Sequence, residues 1–179
     1  SIPFSDLCRQ MQIARGSKEY LKPVNAGLLM FNTDPLKFFE GAKIEIVEYQ
    51  NEIGDVFTEK IFTGPLHYQL RTALQYIKNA VIKEKIIKIE GQAESKRFFN
   101  YPFASIEEAL ANAVYHRSYE MPNTIEVSIY KNRMDIISFP GPLPPVTEND
   151  LKKEKIIARN YRNRRIGDFL KELNLTEGR

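Results

Sequence analysis

The spacing of apolar residues along the chain divides it into helical and extended segments. Apolar positions repeat at helical spacing from Leu66 to Glu84, which predicts a helix of about five turns at roughly 3.6 residues each. Alternation of apolar and polar residues predicts strands at 44–49 and 56–62, joined by a turn that contains Gly54. These segments predict a β-hairpin followed by a long helix.

Two further hairpins and several shorter helices are predicted by the same patterns. One hairpin is expected from Thr124 to Ile137, and a more basic one from Ile86 to Phe99 with its turn near 93–95. The basic hairpin either contacts phosphate groups or forms an ordinary solvated sheet face. Shorter helices, the second with Pro23 at its first position, are expected at three places: within 2–14, over 24–31 and over 164–173.

A polar stripe distinguishes the segment from Ser105 to Tyr119, which is predicted to be the central helix. Glu108, Asn112 and His116 follow one another at intervals of four residues, so a carboxylate, an amide and an imidazole share one face. Ser105 is a suitable N-cap, and Glu108 is placed to complete a capping box with it. Glu108 therefore has a structural role available beside any chemical one.

Together these elements predict an α/β (α+β) fold, with a mixed, largely antiparallel sheet that carries helices on one face. Residues 1–96 are expected to form an N-terminal helix and β-hairpin module, which packs on a C-terminal domain of residues 97–179. Phe38 and Phe39 are expected to lie in the core.

Composition restricts the classes of protein that remain. The chain has 179 residues, of which 42% are hydrophobic and 27% charged, as in ordinary soluble globular proteins. Its net charge of only +3 means that any surface for nucleic acid has to be a local basic patch. A single cysteine, Cys8, excludes an internal disulfide and fits a reducing compartment. With no apolar run of membrane-spanning length, we expect a cytoplasmic protein without membrane contact.

The central segment resembles the first nucleotide-binding box of the GHKL ATPases, the superfamily of gyrase, MutL and the sensor histidine kinases. The resemblance lies in Glu108-x-x-x-Asn112 followed by His116-Arg117. A proline and glycine loop from Ser138 to Pro144 and an arginine-rich segment at 158–168 then follow in a similar order. The resemblance implies a divergent GHKL-like, or Bergerat-like, C-terminal half from about residue 97.

Upstream, the passage from Lys22 to Lys43 is similar to a segment found in bacterial and archaeal transcriptional regulators. These proteins are also described as related to the ATP-dependent DNA helicase RecG. In them a Schlafen/Alba-type DNA-binding domain commonly precedes the ATPase-like domain. The resemblance therefore implies that DNA is contacted through an upstream domain absent from this chain.

The GHKL resemblance implies ATP and Mg²⁺ as ligands. In that superfamily the Asn oxygen holds the metal ion, a role that falls on Asn112, and the Glu orients or deprotonates the attacking water, which makes Glu108 the catalytic candidate. Magnesium prefers hard oxygen ligands such as an amide oxygen and phosphates. Gly178 stands where the family's Gly-x-Gly turn begins near the phosphates, so the chain is expected to end within that loop.

The second box of the superfamily is altered in this chain. Where Asp-x-Gly-x-Gly is usual, the chain has Asp135-Ile-Ile-Ser-Phe-Pro-Gly141. Ser138 stands nearest the expected adenine contact, and a hydroxyl accepts a hydrogen bond less strongly than a carboxylate does. Gly141 either permits close backbone approach to the ligand or shapes a turn.

Three cationic or titratable residues have both a structural and a ligand-binding interpretation. His116 and Arg117 end the central helix, where positive charge is favourable against the helix dipole. Arg117 also has the geometry to hold a phosphate with two hydrogen bonds. Arg162 lies in the densest basic cluster, and Asn163 within that cluster can cap the helix that begins at Arg164. That cluster binds a nucleotide phosphate or a DNA phosphate, or is simply solvated or paired; its other arginines are Arg159, Arg164 and Arg165.

The sequence thus supports a nucleotide-responsive regulatory module of a DNA-binding transcriptional regulator as the first hypothesis. The alternative is a degenerate GHKL-like scaffold for dimerisation or partner docking that does not bind nucleotide. Direct duplex binding by the arginine cluster ranks third. Because no P-loop is present, a helicase is not supported, and at most a slow ATPase is expected.

Overall fold

Helices and strands alternate along the chain in a computed structural model that describes residues 2–51, 53–88, 95–147, 149–153 and 160–176. The α-helices are α1 (Phe4–Gln10), α2 (Asn25–Phe31), α3 (Leu66–Tyr76), α4 (Phe103–His116) and α5 (Arg164–Glu172). The strands are β1 (Ala14–Arg15), β2 (Lys22–Pro23), β3 (Ile44–Tyr49), β4 (Phe57–Phe62), β5 (Glu84–Lys88), β6 (Ser95–Phe99), β7 (Ile125–Ile129) and β8 (Met134–Ile137). The protein is therefore a mixed α+β structure.

A four-stranded sheet in the order β4-β3-β7-β8 forms the centre of the fold. Strands β3 and β7 run parallel, with Ile44 opposite Ile125, while the two outer pairs are antiparallel. This is the mixed, largely antiparallel sheet that the hairpin patterns predict. Strand β3 belongs to the predicted N-terminal module of residues 1–96, and β7 belongs to the predicted C-terminal domain of residues 97–179. The two predicted parts therefore share one sheet.

One face of this sheet forms the core. Ile44 and Ile46 of β3 alternate with more polar neighbours, as do Ile125 and Val127 of β7, and all four are at most 1% exposed. Helices α3 and α4 supply the opposing apolar side chains, and each fully buried side chain of this size stabilises the fold by roughly 1.5–3 kcal/mol. The apolar stripe of α3 thus fixes the position of α4, which carries the polar stripe on its other side.

Helix α3 does not continue as far as its hydrophobic period suggests. The α-helix ends at Tyr76, one wider π turn covers Ile77–Val81, and strand β5 has begun by Glu84. The predicted end at residue 84 is therefore wrong, since it lies eight residues beyond the end of α3 and three beyond the end of the π turn. Ile77 and Val81 remain buried in the core, so the apolar stripe continues although the helix type changes.

Three local expectations about helix ends and the core are wrong. Helix α4 begins at Phe103 after Pro102, and no side chain caps it, so Ser105 and Glu108 do not form a capping box. Pro23 lies in β2 and precedes α2 instead of starting it. Phe38 is 54% exposed, whereas Phe39 packs against the core and against the ring of Tyr119, as expected.

The basic hairpin is confirmed as an antiparallel pair of β5 and β6, in which Glu84 lies opposite Phe99. Most of its predicted turn lies outside the described residues. Within the part of the chain that the structure describes, no helix has both the length and the apolar composition needed to cross a bilayer.

Candidate functional site

Helix α4 presents Glu108, Asn112 and His116 on one face, as their spacing predicts. Glu108 is exposed, and the other two side chains are partly buried. The amide Nδ2 of Asn112 donates to Oε1 of Glu108 at 3.3 Å. The opposite flank of the helix packs into the core, where Leu110 and Val114 are fully buried. The core thus holds the helix in one orientation and leaves the polar face accessible.

The start of this polar face is joined by the segment that follows α5. Thr176 Oγ1 donates to Oε2 of Glu108 at 3.3 Å, although 68 residues separate them in the chain. Both carboxylate oxygens of Glu108 therefore accept a hydrogen bond, one from Thr176 and one from Asn112. Gly178, predicted near the phosphates, lies outside the described residues.

The end of the polar face is aromatic. The His116 ring lies 4.3 Å from the ring of Tyr115 and 5.4 Å from the ring of Tyr161, measured between centroids, and the two tyrosine rings are 5.7 Å apart. Burial, and secondarily the charge of Arg162, lowers the pKa of His116 below its ordinary value, so the imidazole is neutral at pH 7. Burial also raises the pKa of Tyr115 to about 12, with smaller contributions from Glu108 and Tyr161.

Arg162 connects the end of α4 to the proline and glycine loop. Its guanidinium donates to the backbone carbonyl of His116 and, at 3.4 Å, to that of Gly141. Asn160 donates to the carbonyl of Pro144 at 2.8 Å. The structure thus brings together three residues that the sequence analysis proposed as ligand contacts, namely His116, Gly141 and Arg162.

Asn163 binds the end of α4 and does not cap α5. It occupies the N-cap position of α5, yet its side chain makes no capping hydrogen bond there. Its Nδ2 donates instead to the carbonyls of Tyr115 at 3.1 Å and Arg117 at 2.6 Å. The predicted side-chain cap of α5 is therefore wrong, because unpaired carbonyls at the end of α4 take the donor.

Arg117 lies inside the protein, away from the accessible face of α4. Its side chain is 1% exposed, and its guanidinium stacks on the ring of Tyr119 at 4.7 Å. It donates to four backbone carbonyls, those of Gly41, Ser118, Met121 and Asn123. With its donors used in this way, Arg117 has a structural role in the described conformation and is not among the groups that we assign to a ligand.

The altered second box separates into two environments. Asp135 forms an ion pair with Arg133 at 3.1 Å. The neighbouring strand residues Met134 and Ile136 pack against the core, so alternation places Asp135 on the sheet face opposite α4. Ser138 is partly buried and follows Ile136 by two positions, directly after β8. Asp135 is thus paired on the far face of the sheet, whereas Ser138 lies in the loop that follows β8.

The basic cluster is divided among different partners. Arg165 donates to the carbonyl of Met11 at 3.2 and 2.8 Å, and its guanidinium lies 4.0 Å from the ring of Phe169. Arg164 is exposed, and Arg159 lies outside the described residues. Arg162 and Arg165 therefore serve internal contacts, which leaves Arg164 as the exposed cation of the described part of this cluster.

A magnesium ion fits the donor set of this face. Asn112 and Glu108 supply the hard oxygen atoms that Mg²⁺ prefers, and the ion ordinarily keeps several waters and phosphate oxygens as its remaining ligands. A closed metal site would need protein side chains to supply all of its ligands. Among the described residues, no group of three or more His, Cys, Asp and Glu side chains could hold a metal ion.

Comparison with known proteins supports the fold alone. No protein-family model matches the chain, and no curated protein matches it. The chain is similar to the crystal structure of the DIP2311 protein from Corynebacterium diphtheriae, with a TM-score of 0.67 and 20% sequence identity. The match covers 98% of this chain and 34% of that one, so the chain spans about a third of the length of that protein.

Three contributors to this face were not predicted from the sequence. Tyr161, Thr176 and the side chain of Asn163 all reach α4 from more than 40 residues further along the chain. Tyr161 stood within the arginine-rich segment and was the one aromatic residue among those cations. Nothing in the local spacing of Thr176 indicates its contact with Glu108.

Proposed function

We propose that the α4 face binds a magnesium nucleotide, ATP in the first instance, and that the chain is the nucleotide-responsive module of a DNA-binding transcriptional regulator. One observation carries the proposal. Glu108, Asn112 and His116 lie on one accessible face, and Arg162, Gly141 and Thr176 reach that face from other parts of the chain. DNA would be contacted by a domain outside this chain.

Each side chain has a defined role in this proposal. Asn112 offers its amide oxygen to the metal ion, whose charge would screen the phosphates when bound. Glu108 orients a water molecule beside it. Because both carboxylate oxygens already accept hydrogen bonds, water activation by Glu108 is weak, and we expect slow turnover at most. Gly141 borders the face near its aromatic end through its contact with Arg162, and Ser138 precedes it in the same loop.

Calorimetric titration of the chain with Mg-ATP tests this proposal. We expect binding that Asn112→Ala abolishes, because the variant removes the metal ligand. Asn79→Ala is the matched control, since Asn79 is an exposed helical asparagine whose side-chain oxygen accepts a hydrogen bond from Gln75 four residues earlier, away from the α4 face. Equal binding by the chain and by Asn112→Ala would refute the site.

A second candidate function is a scaffold that keeps this fold for dimerisation or partner docking and binds no nucleotide. The observation that favours it is that polar groups of the face already form hydrogen bonds within the protein. Glu108 accepts from Asn112 and Thr176, and Arg162 donates to two backbone carbonyls. The same titration separates the two candidates. The scaffold is supported if the folded chain, and the chain with Ser138→Asp, both fail to bind Mg-ATP.

A further inference from the structure

We infer that the nucleotide base stacks on the ring of Tyr161, at the aromatic end of the α4 face. The inference rests on the proposed function, and it extends that function to how the base is recognised. Stacking on an aromatic ring is tolerant of base identity, since every base has a π face. The ligand class is therefore a nucleoside triphosphate, with ATP and GTP both accepted.

The two ends of the face differ in chemistry. Glu108 and Thr176 at the start of the face offer a carboxylate and a hydroxyl, whereas Tyr115, His116 and Tyr161 at its end offer three packed rings. Glu108 and His116 are about 12 Å apart along the helix, at roughly 1.5 Å per residue. A nucleotide likewise has a flat aromatic end and an anionic end. Its base matches the rings, and its phosphates would approach the start of the face through the Mg²⁺ ion that Asn112 and Glu108 would hold.

Tyr161 is held rigidly enough to serve as a stacking surface. The residues on both sides of it are anchored, Asn160 on the carbonyl of Pro144 and Arg162 on the carbonyls of His116 and Gly141. Its ring packs on His116 and Tyr115, yet 36% of the residue remains exposed. Because the ring packs against two neighbours and remains partly exposed, it accepts a base without first having to become ordered.

Asn112 connects this surface to the metal-binding end. It lies four residues before His116 on the same helical face and accepts no hydrogen bond through its amide oxygen among the contacts of the described residues. A bound ligand whose base lies on Tyr161 and whose phosphates lie near Glu108 therefore extends past Asn112. The neutral imidazole of His116 beside the ring adds no charge that would favour one base over another.

The absence of tryptophan from the chain allows a direct optical test. Tyr161→Trp introduces a single indole at the proposed stacking surface. We expect Mg-ATP and Mg-GTP to quench its fluorescence, and magnesium tripolyphosphate, which has no base, to leave the fluorescence unchanged. Binding of all three ligands is measured in parallel by calorimetry.

Variants that change only the ring provide the second measurement. Tyr161→Leu keeps apolar bulk against Tyr115 but removes the π face, so Mg-ATP and Mg-GTP are both expected to bind about tenfold more weakly. Tyr161→Phe should bind as the unmodified chain does, and tripolyphosphate should bind equally to all three. Tyr68→Ala, which changes an exposed tyrosine on α3, is the control.

The outcomes separate this inference from the function on which it rests. If Mg-ATP binds in an Asn112-dependent manner but neither quenches the indole nor responds to Tyr161→Leu, the base lies elsewhere and the inference fails while the proposed function stands. If the folded chain binds neither nucleotide nor tripolyphosphate, both fail. Discrimination between ATP and GTP by more than about tenfold also contradicts recognition by stacking alone.

Discussion

Replacement of Arg117 by methionine is expected to destabilise the protein strongly, without any contribution from a ligand. Methionine approximates the length of the arginine stem but provides no donor. The substitution leaves the carbonyls of Gly41, Ser118, Met121 and Asn123 without the guanidinium, which is 1% exposed in the native chain. These carbonyls come from two segments of the chain, one at Gly41 and one from Ser118 to Asn123, which the side chain joins.

The magnitude follows from the number of hydrogen bonds and from the charge. Each buried carbonyl that loses its partner costs about 1–3 kcal/mol, although water entry and relaxation reduce the sum. Burial of the charged guanidinium carries a desolvation cost, which lowers the pKa of Arg117. Removal of the guanidinium recovers part of that cost. We therefore expect a net loss of about 3 kcal/mol, which in a chain of this size lowers Tm by roughly 6–12 °C.

Urea unfolding followed by circular dichroism measures the free energy of unfolding of Arg117→Met. Arg71→Met is the matched control, because Arg71 is exposed on α3 and its replacement is expected to cost less than about 0.5 kcal/mol. Arg117→Lys should recover little, since one ammonium group cannot reach carbonyls around a planar fork. A loss below about 1 kcal/mol for Arg117→Met would show that the hydrogen bonds from Arg117 to the four carbonyls are not a major source of stability.

Three further predictions concern the surroundings of this site. Gly41→Ala places a Cβ 2.3 Å from the Asn123 oxygen and 2.7 Å from Nη2 of Arg117, so urea unfolding should show a loss of about 1–3 kcal/mol, whereas Gly141→Ala, with nothing within 4 Å of its Cβ, should be neutral. Asn163→Ala should cost about 1–2 kcal/mol, and Asn163→Asp at least as much because a carboxylate has no N–H for the Tyr115 and Arg117 carbonyls; if Asp is tolerated, Asn163 acts as a cap after all. The lowered pKa of His116 means that its stabilising contribution is complete above the unfolded-state pKa of about 6.5 and is lost as pH falls through the lower folded-state value. Stability measured between pH 7.5 and 5 should therefore fall less in His116→Gln than in the unmodified chain, and identical pH profiles would contradict the assignment.

The elements of the fold were predictable because each has a clear local period. Alternation identified the hairpins of β3 with β4 and of β7 with β8, and their observed bounds differ from the predicted ones by no more than one residue. The parallel pairing of β3 with β7 was not predictable, since nothing local in either strand specifies a partner about 80 residues away. The predicted start of α4 was wrong because the helix begins after Pro102 and has no side-chain cap. The predicted end of α3 was wrong because a π turn follows the α-helix.

The candidate site was predictable only where its residues share one helix. Glu108, Asn112 and His116 lie on one face because helical geometry alone places them there. Arg117 could not be placed, because the carbonyl of Gly41 that holds it is 76 residues away in the chain. An arginine at the end of a helix has the same local sequence pattern whether its side chain faces solvent, a phosphate group or buried backbone carbonyls.

Two-dimensional amide NMR of the chain during titration with Mg-ATP tests nucleotide binding on the α4 face most directly. We expect saturable shifts of the Asn112 side-chain amide and of backbone amides near His116 and Tyr161, with the amides of β4 unchanged. The same titration of Asn112→Ala should then show no saturable shifts. Shifts confined to other parts of the chain, or none at millimolar Mg-ATP, would contradict nucleotide binding at this face.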